Sequence, residues 1–338
     1  MAFKAPDMAI DLGTSNTMLL VKGKGVVINE PTTVVVNAAD HRMVHAVGEE
    51  ARYLMGRARE HLLVVDPVTD GRISDFDTAA VLLKYFVRKA VGASLLFKPT
   101  ILVSVPCGLN AVQRKTVREA VRQAGARRVV LIEKPLAAAI GTGLPVYDPV
   151  GNMVVDIGAG TTDSAIVAMG GMVVSQSVPT GGNRMDEAIV SYLKKNSSML
   201  IGTYTAERLK IDLGTAVPTD GHQHGKVRGR DLLSSHAMSV DFTSAQAYEA
   251  LREPCMAILA SIRWVLERTP PELSADIMRS GIHLTGGGSR LYALDQFIAT
   301  QLGIPVSLAR EPEECTIAGL GFMLENPDVM NELMRGSN

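Results

Sequence analysis

Apolar positions along this chain follow two rhythms that alternate. Met8–Leu12 and residues 17–21 are short apolar runs around a Gly/Ser/Thr turn and predict two strands. Leu82, Leu83, Phe86, Val87 and Ala90 recur at helical spacing and predict an amphipathic helix over residues 77–91. Thr100–Val105 reads as a short buried strand ended by Pro106. The next helix has Asn110 as its N-cap and Gly125 as its stop. Residues 129–133 form another strand, and Pro135 opens a helix through residues 136–140.

The pattern begins again at Met153. Strands over 153–157 and 164–168 flank a second small-residue turn, and helices follow. A polar insertion near 218–230 reads as loop, and a long helix covers about 247–268. Ile282–Thr285 is a last strand, running into Gly286-Gly287-Gly288. The two turns share one template. Ala9-Ile10-Asp11-Leu12-Gly13-Thr14-Ser15-Asn16-Thr17 and Val154-Val155-Asp156-Ile157-Gly158-Ala159-Gly160-Thr161-Thr162 both place two apolar residues before Asp, then an apolar residue, Gly, three small or polar residues, and Thr. Two copies in matching frames predict duplicated lobes that face each other.

Composition agrees with two lobes. The chain has 338 residues, whereas single cores stop growing near about 250–300 residues. Hydrophobic residues at 46% exclude wholesale disorder, and aromatics at 4% leave Ala, Val, Leu and Ile to fill the core. A formal net charge of −1 argues against a nucleic-acid partner. Cys107, Cys255 and Cys315 are far apart with no CxxC spacing, which points to a reducing cytosol and away from zinc. His222 and His224 flank Gln223 in a polar segment and read as a solvated loop. Residues 1–8 hold no apolar run that would make a signal peptide, and no stretch of about 18 apolar residues spans a membrane.

The paired hairpins suit phosphate. Glycines allow close backbone approach, successive turn N–H groups form an anion nest, and Thr14, Ser15, Thr161 and Thr162 add hydroxyl donors. Asp11 and Asp156 cannot bind phosphate themselves but suit a hydrated Mg²⁺, which takes one or two carboxylates plus substrate phosphates. Competing motifs fit worse. Asp163 stands where GxGxxG needs its third Gly, and that segment enters a strand rather than a helix. No GxxxxGK[ST] run exists. Gly286, Gly287, Gly288 and Ser289 let backbone approach a ligand face, and Glu207 and Lys210 share one helix face.

These residues resemble the actin/Hsp70/sugar-kinase superfamily and, within it, the MreB branch of bacterial actins. The resemblance covers nearly the whole chain. It runs through Asp11-Leu12-Gly13-Thr14-Ser15-Asn16-Thr17, Asn29-Glu30-Pro31, Asp70-Gly71 with Asp75-Phe76, Val105-Pro106-Cys107-Gly108, and Pro135 with Ala137-Ala138-Ala139-Ile140-Gly141. It continues in Gly181-Gly182 with Asp186-Glu187-Ala188-Ile189, Thr205-Ala206-Glu207-Arg208, Val227-Arg228-Gly229, Pro270-Pro271-Glu272-Leu273 and Leu284-Thr285-Gly286-Gly287-Gly288. It implies an α/β, actin-like (ribonuclease H-like, duplicated) two-lobed ATPase fold with four subdomains. Their bounds are 1–31, 72–143 and 316–338 (IA), 32–71 (IB), 144–180 and 247–315 (IIA), and 181–246 (IIB). By position, Gly13, Thr14, Ser15 and Asn16 form one phosphate loop and Gly158, Ala159, Gly160, Thr161 and Thr162 the other. Glu207, Arg208 and Lys210 flank the adenosine, with Gly286, Gly287, Gly288 and Ser289 beneath it. ATP and Mg²⁺ are the implied cofactors.

Two positions depart from the family. It usually reads Ile-Glu-Glu-Pro at the catalytic turn, the second Glu positioning water, whereas this chain has Ile132-Glu133-Lys134-Pro135. A protonated ammonium is no general base. The family usually has Glu after Gly-Thr-Thr, and here stands Asp163. Glu133, Lys134 and Asp163 are therefore the candidate catalytic positions, and weak or altered ATP hydrolysis with binding retained is expected.

The implied partners are further copies of the chain, in protofilaments paired antiparallel, the inner face of the cytoplasmic membrane, and membrane-embedded cell-elongation proteins. Leu95, Leu96 and Phe97, between Lys89 and Lys98, resemble the family's membrane-insertion loop. Their burial at an interface is worth a few kcal/mol at about 25 cal/mol per Å², multiplied along a filament. The expectation is a cytosolic, membrane-associated filament protein organising cell shape and wall synthesis. A filament specialised for magnetosome or plasmid positioning and a small-molecule kinase of the same fold remain alternatives.

Overall fold

The structure is a computed structural model that describes residues 6–40, 43–55, 59, 61–92, 98–326 and 328–329. Leu95, Leu96 and Phe97 lie outside the described residues.

Two five-stranded sheets form the centre, and their ten strands are numbered here in chain order. The first holds β1 (Met8–Leu12), β2 (Asn16–Val21), β3 (Gly25–Pro31), β4 (Thr100–Val105) and β5 (Arg128–Glu133). The second holds β6 (Asn152–Ile157), β7 (Thr162–Ala168), β8 (Gly171–Val178), β9 (Ile282–Thr285) and β10 (Val306–Leu308). The first sheet runs β3-β2-β1-β4-β5 and the second β8-β7-β6-β9-β10, so the order is the same. In each, three strands meander antiparallel and two more join in parallel. The duplication expected from the hairpin template is thus a duplication of whole sheets.

Seven helices bear on the site and its supports. They are α1 (Phe76–Val91), α2 (Ala111–Gln123), α3 (Lys134–Gly141), α4 (Gly182–Ser197), α5 (Thr203–Leu213), α6 (Ser244–Glu267) and α7 (Cys315–Glu325). Their starts are written locally. Asn110 and Gln113 close a capping box on α2, and Thr243 and Gln246 do the same on α6. The Asp75 side chain accepts from Thr78 N–H at the start of α1. The helix stop near Gly125 is confirmed by Ala124 as the C-cap of α2.

Each lobe has its own aliphatic core, and a third cluster forms the seam. Ala9, Leu102 and Ile132 from the first sheet and Val154 and Val167 from the second enclose α3 and α7. These two helices cross so closely that a Cβ on Gly319 would run into the Ala137 carbonyl. Gly319→Val should therefore lower the unfolding free energy by about 1–3 kcal/mol or more. A urea denaturation midpoint equal to that of the native chain would contradict so tight a crossing.

Two three-stranded sheets are appended, beside a two-stranded pairing of Val68–Thr69 with Arg72–Ile73. One pairs Val34–Asn37 with Val44–Val47 and Leu62–Val65, over Val35, Ala46 and Ala51. The other joins Met199–Leu200, His224–Asp231 and Ala237–Thr243. The segment read as a polar loop at 218–230 thus ends in a strand. Val227 is buried while Lys226 and Arg228 are exposed, so one apolar position anchors an otherwise polar ribbon. His224 begins that strand, and both His222 and His224 are exposed.

Candidate functional site

The two template hairpins face one another across a cleft between the lobes. Each turn closes with the same bond: Gly13 N–H donates to the Asn16 carbonyl at 3.1 Å, and Gly158 N–H to the Thr161 carbonyl at 2.8 Å. The Asp before each turn is held in the same way by the neighbouring parallel strand. Asp11 lies opposite Ser104 in register, and Ser104 Oγ donates to Asp11 Oδ1 at 2.5 Å. Asp156 lies opposite Thr285, whose Oγ1 donates to Asp156 Oδ1 at 2.9 Å. The sequence does not single out Ser104 or Thr285 for this task, because nothing in a linear pattern says which strands lie side by side.

The cleft has a volume of about 340 Å³, within the size of a small-ligand site. Asp11, Gly13, Thr14, Ser15, Asn16, Lys134, Asp156, Gly158, Ala159, Gly160 and Thr161 line one part of it. Glu207, Lys210, Gly286, Gly287 and Gly288 line the rest, with Ile211, Glu313 and Thr316. Most of the predicted binding residues are thereby brought together from separate chain segments. At Gly287 a Cβ would meet nothing within 4 Å, so the backbone there looks onto open space where a flat group can lie.

Other candidates sit elsewhere. Arg208 is exposed and its guanidinium reaches Asp212 at 4.0 Å, on the outer face of α5. Ser289 is buried and its hydroxyl donates to the Gly286 carbonyl at 2.6 Å, bracing the glycine turn from behind. Thr162 donates to the Thr180 carbonyl at 2.6 Å, and Thr161 to Asp163 Oδ2 at 2.8 Å. Both hydroxyls thus donate within the protein, to a carboxylate and a carbonyl. Thr14 differs: it accepts from Gly71 N–H at 3.1 Å, which leaves its own proton to donate.

The three candidate catalytic positions also separate. Glu133 stands at the residue before α3, but its side chain makes no capping bond and instead pairs with Arg114, away from the cleft. Asp163 is fully buried behind the second loop and accepts from Cys107 N–H at 2.8 Å, tying the second lobe to the end of β4. Burial raises its pKa, against the hydrogen bonds from Cys107, Thr161 and Ser177. Of the three, Lys134 alone enters the cleft. Its side chain is 11% exposed and Nζ lies 2.9 Å from Asp11 Oδ1. Burial alone would lower its pKa, but Asp11, Asp156 and Asp163 outweigh it, and the ammonium is held above the ordinary lysine range. Asp156 moves the other way from a usual carboxylate. Burial, with the charges of Asp163 and Asp11, pushes it up to about 6 despite Lys134 and Thr285.

On the adenosine side, Glu207 and Lys210 have different partners rather than each other. Lys210 Nζ pairs with Asp186 Oδ1 at 2.8 Å and donates to the Gly182 carbonyl at 3.2 Å. Glu207 meets Arg52, from the other lobe, at 3.2 Å. Asp186 belongs to the motifs that carry the resemblance, and its place here is beside Lys210. Burial pushes its pKa up to about 6, with Lys210 opposing.

The fit to a hydrated magnesium ion can be judged from these donors. Asp11 and Asp156 both line the cleft, and among the described residues no group of three or more His, Cys, Asp or Glu is gathered to grip a metal directly. Such an ion would be held through its water shell and the ligand's phosphates, the usual habit of Mg²⁺.

Two sheets of identical order, facing hairpins and a glycine-walled cleft between them define the actin-like class of two-lobed folds. The comparisons with known proteins agree and narrow it. The model of the family described as "MreB/Mbl protein" matches residues 5–332. The cell shape-determining protein Mbl of Bacillus subtilis (strain 168) is 43% identical over 324 residues, 96% of this chain and 97% of that protein. The cell shape-determining protein MreB of Escherichia coli (strain K12) is 43% identical over 327 residues, 96% of this chain and 94% of that one. The crystal structure of MreB 5 of Spiroplasma citri bound to AMPPNP superposes with a TM-score of 0.92 at 30% identity, covering 99% of this chain and 100% of that chain. The chain belongs to the MreB/Mbl protein family, and is a bacterial actin homologue.

Proposed function

We propose that the chain binds ATP with Mg²⁺ between the hairpins and polymerises into filaments that help determine cell shape. The observation that carries this reading is the twofold arrangement at the cleft, where two Asp–hydroxyl pairs and two equally closed glycine turns face each other. Solved relatives bound to ADP and to AMPPNP support the nucleotide, and relatives described as cell shape-determining support the role. In this reading the turns closed by Gly13 and Gly158 present the backbone N–H groups of Thr14 to Asn16 and of Ala159 to Thr161 to the phosphates, while Thr14 donates its hydroxyl proton. Gly286 to Gly288 underlie the base. The metal, when bound, neutralises phosphate charge; Asp11 and Asp156 orient its waters.

Filaments are proposed to form on the inner face of the cytoplasmic membrane, as antiparallel pairs, alongside membrane-embedded elongation proteins. No helix among the described residues is long and apolar enough to cross a membrane, so attachment would be peripheral. Leu95, Leu96 and Phe97 are the proposed contact. Electron microscopy of the purified protein with ATP on anionic lipid tests this, with paired filaments on the lipid expected. Monomers alone under those conditions would overturn it.

Hydrolysis is proposed to be slow. Lys134 is protonated and cannot accept a proton from water, and Glu133 is turned towards Arg114. Acid quenching after filaments have formed should return bound nucleotide mainly as ATP. ADP appearing as fast as polymer would contradict the assignment.

A further inference from the structure

We propose that the Lys134 ammonium is a resident cation of the cleft, standing in for part of the positive charge a divalent ion supplies, so that nucleotide binding depends only weakly on metal. This rests on the nucleotide-binding reading above. The position is unusual on local grounds. Lys134 is the first residue of α3, where a cation opposes the helix dipole. Local helix energetics do not account for it, but the neighbouring charges do. Nζ makes its ion pair with Asp11 Oδ1 at 2.9 Å, and both residues line the cleft with Asp156 and the two glycine turns. The carboxylate that would turn towards a metal's water shell therefore already has a cation beside it.

That arrangement has two consequences. A divalent ion entering with the nucleotide meets a carboxylate whose charge is partly satisfied, so it gains less from Asp11. A metal-free triphosphate meets an ammonium rather than a bare pair of carboxylates, so it loses less. Both act in the same direction and reduce the difference between metal-bound and metal-free affinity. The other lysine lining the cleft does not share this task, because Lys210 is engaged by Asp186 and the Gly182 carbonyl on the far side.

The test is equilibrium binding of a fluorescent ATP analogue to the full chain, with Mg²⁺ and with EDTA. A single ion pair in a partly dry site carries enough energy to set the scale: the native chain should lose less than about tenfold in affinity in EDTA, and Lys134→Met about a hundredfold. Lys134→Arg, which keeps the cation, should behave as the native chain. If Lys134→Met does not fold without ligand, the native chain and Lys134→Arg decide the matter. A loss of about a hundredfold in the native chain, with normal binding in Mg²⁺, would overturn the resident cation and leave the nucleotide reading intact. Equal affinity of Lys134→Met and the native chain in EDTA would also overturn it. No saturable binding with or without Mg²⁺ would remove the nucleotide reading itself, and the resident cation with it.

Discussion

Replacing Lys134 with methionine should lower the unfolding free energy of the ligand-free protein by about 3–5 kcal/mol at pH 8, the usual cost of removing one partner from a buried ion pair. The size reflects what is left behind. Asp11 loses the Nζ contact at 2.9 Å, and Asp156 and Asp163 lose an ammonium that lowers their pKa values. Asp156 sets the pH dependence. Its pKa is pushed up to about 6 with Lys134 present, and higher without it, so protonation relieves the variant first. The gap between variant and native chain should therefore narrow as pH falls from 8 towards 5. Urea denaturation at the two pH values measures it. An unchanged midpoint at pH 8 would show that the pair contributes nothing, and a gap that does not narrow would show that Asp156 does not set its pH dependence.

Asp156→Asn should do the opposite to stability and harm function. The folded-state pKa of Asp156 is raised from 3.8 to about 6, so the folded protein holds this proton more tightly than the unfolded chain. Burying the ionised carboxylate costs nothing below the unfolded value and the full amount above the folded one. Stability from this group is thus lost as pH rises from about 4 through 6, and the loss is about 3 kcal/mol. Asparagine keeps an acceptor for Thr285 Oγ1 and carries no charge. The variant should be more stable than the native chain by up to about 3 kcal/mol at pH 8 and equal to it at pH 4. Its Mg²⁺-dependent gain in nucleotide affinity should fall, since one of the two carboxylates proposed to face the metal's waters is gone. A lower melting temperature for Asp156→Asn at pH 8 would contradict this origin of the raised pKa. Stability given up for a charged site is a common trade.

Much of the central frame is legible in the sequence for a simple reason. The hairpin strands and Thr100–Val105 are short apolar runs with clear punctuation, and their limits in the structure differ from the pattern by two residues at most. The helix predicted over 77–91 starts one residue earlier because Asp75 caps it. The repeat of the Asp–Gly template reports the duplication of the sheets. What the pattern does not carry is partnership across the chain. Ser104 reaches Asp11 and Thr285 reaches Asp156 only because parallel strands adjoin, and those pairings span long loops. The same is true of Thr161, whose hydroxyl turns inward to Asp163, and of Glu133, which turns to Arg114 on a different helix. The strand at His224–Asp231 escapes because Val227 is its main buried position. Lys134 is the instructive case. Its departure from the family's carboxylate is plain in the sequence, but its pairing with Asp11 needs the fold.

The central proposal is that the two hairpins and the glycine turn hold one nucleotide per chain. Gly287 gives the cleanest probe, because a side chain there meets no protein atom within 4 Å and fills only the space assigned to the ligand. Calorimetric titration with AMPPNP should give one saturable site on the native chain. Gly287→Leu should melt like the native chain yet bind no AMPPNP. Full binding by Gly287→Leu, or none by the native chain, would contradict the account.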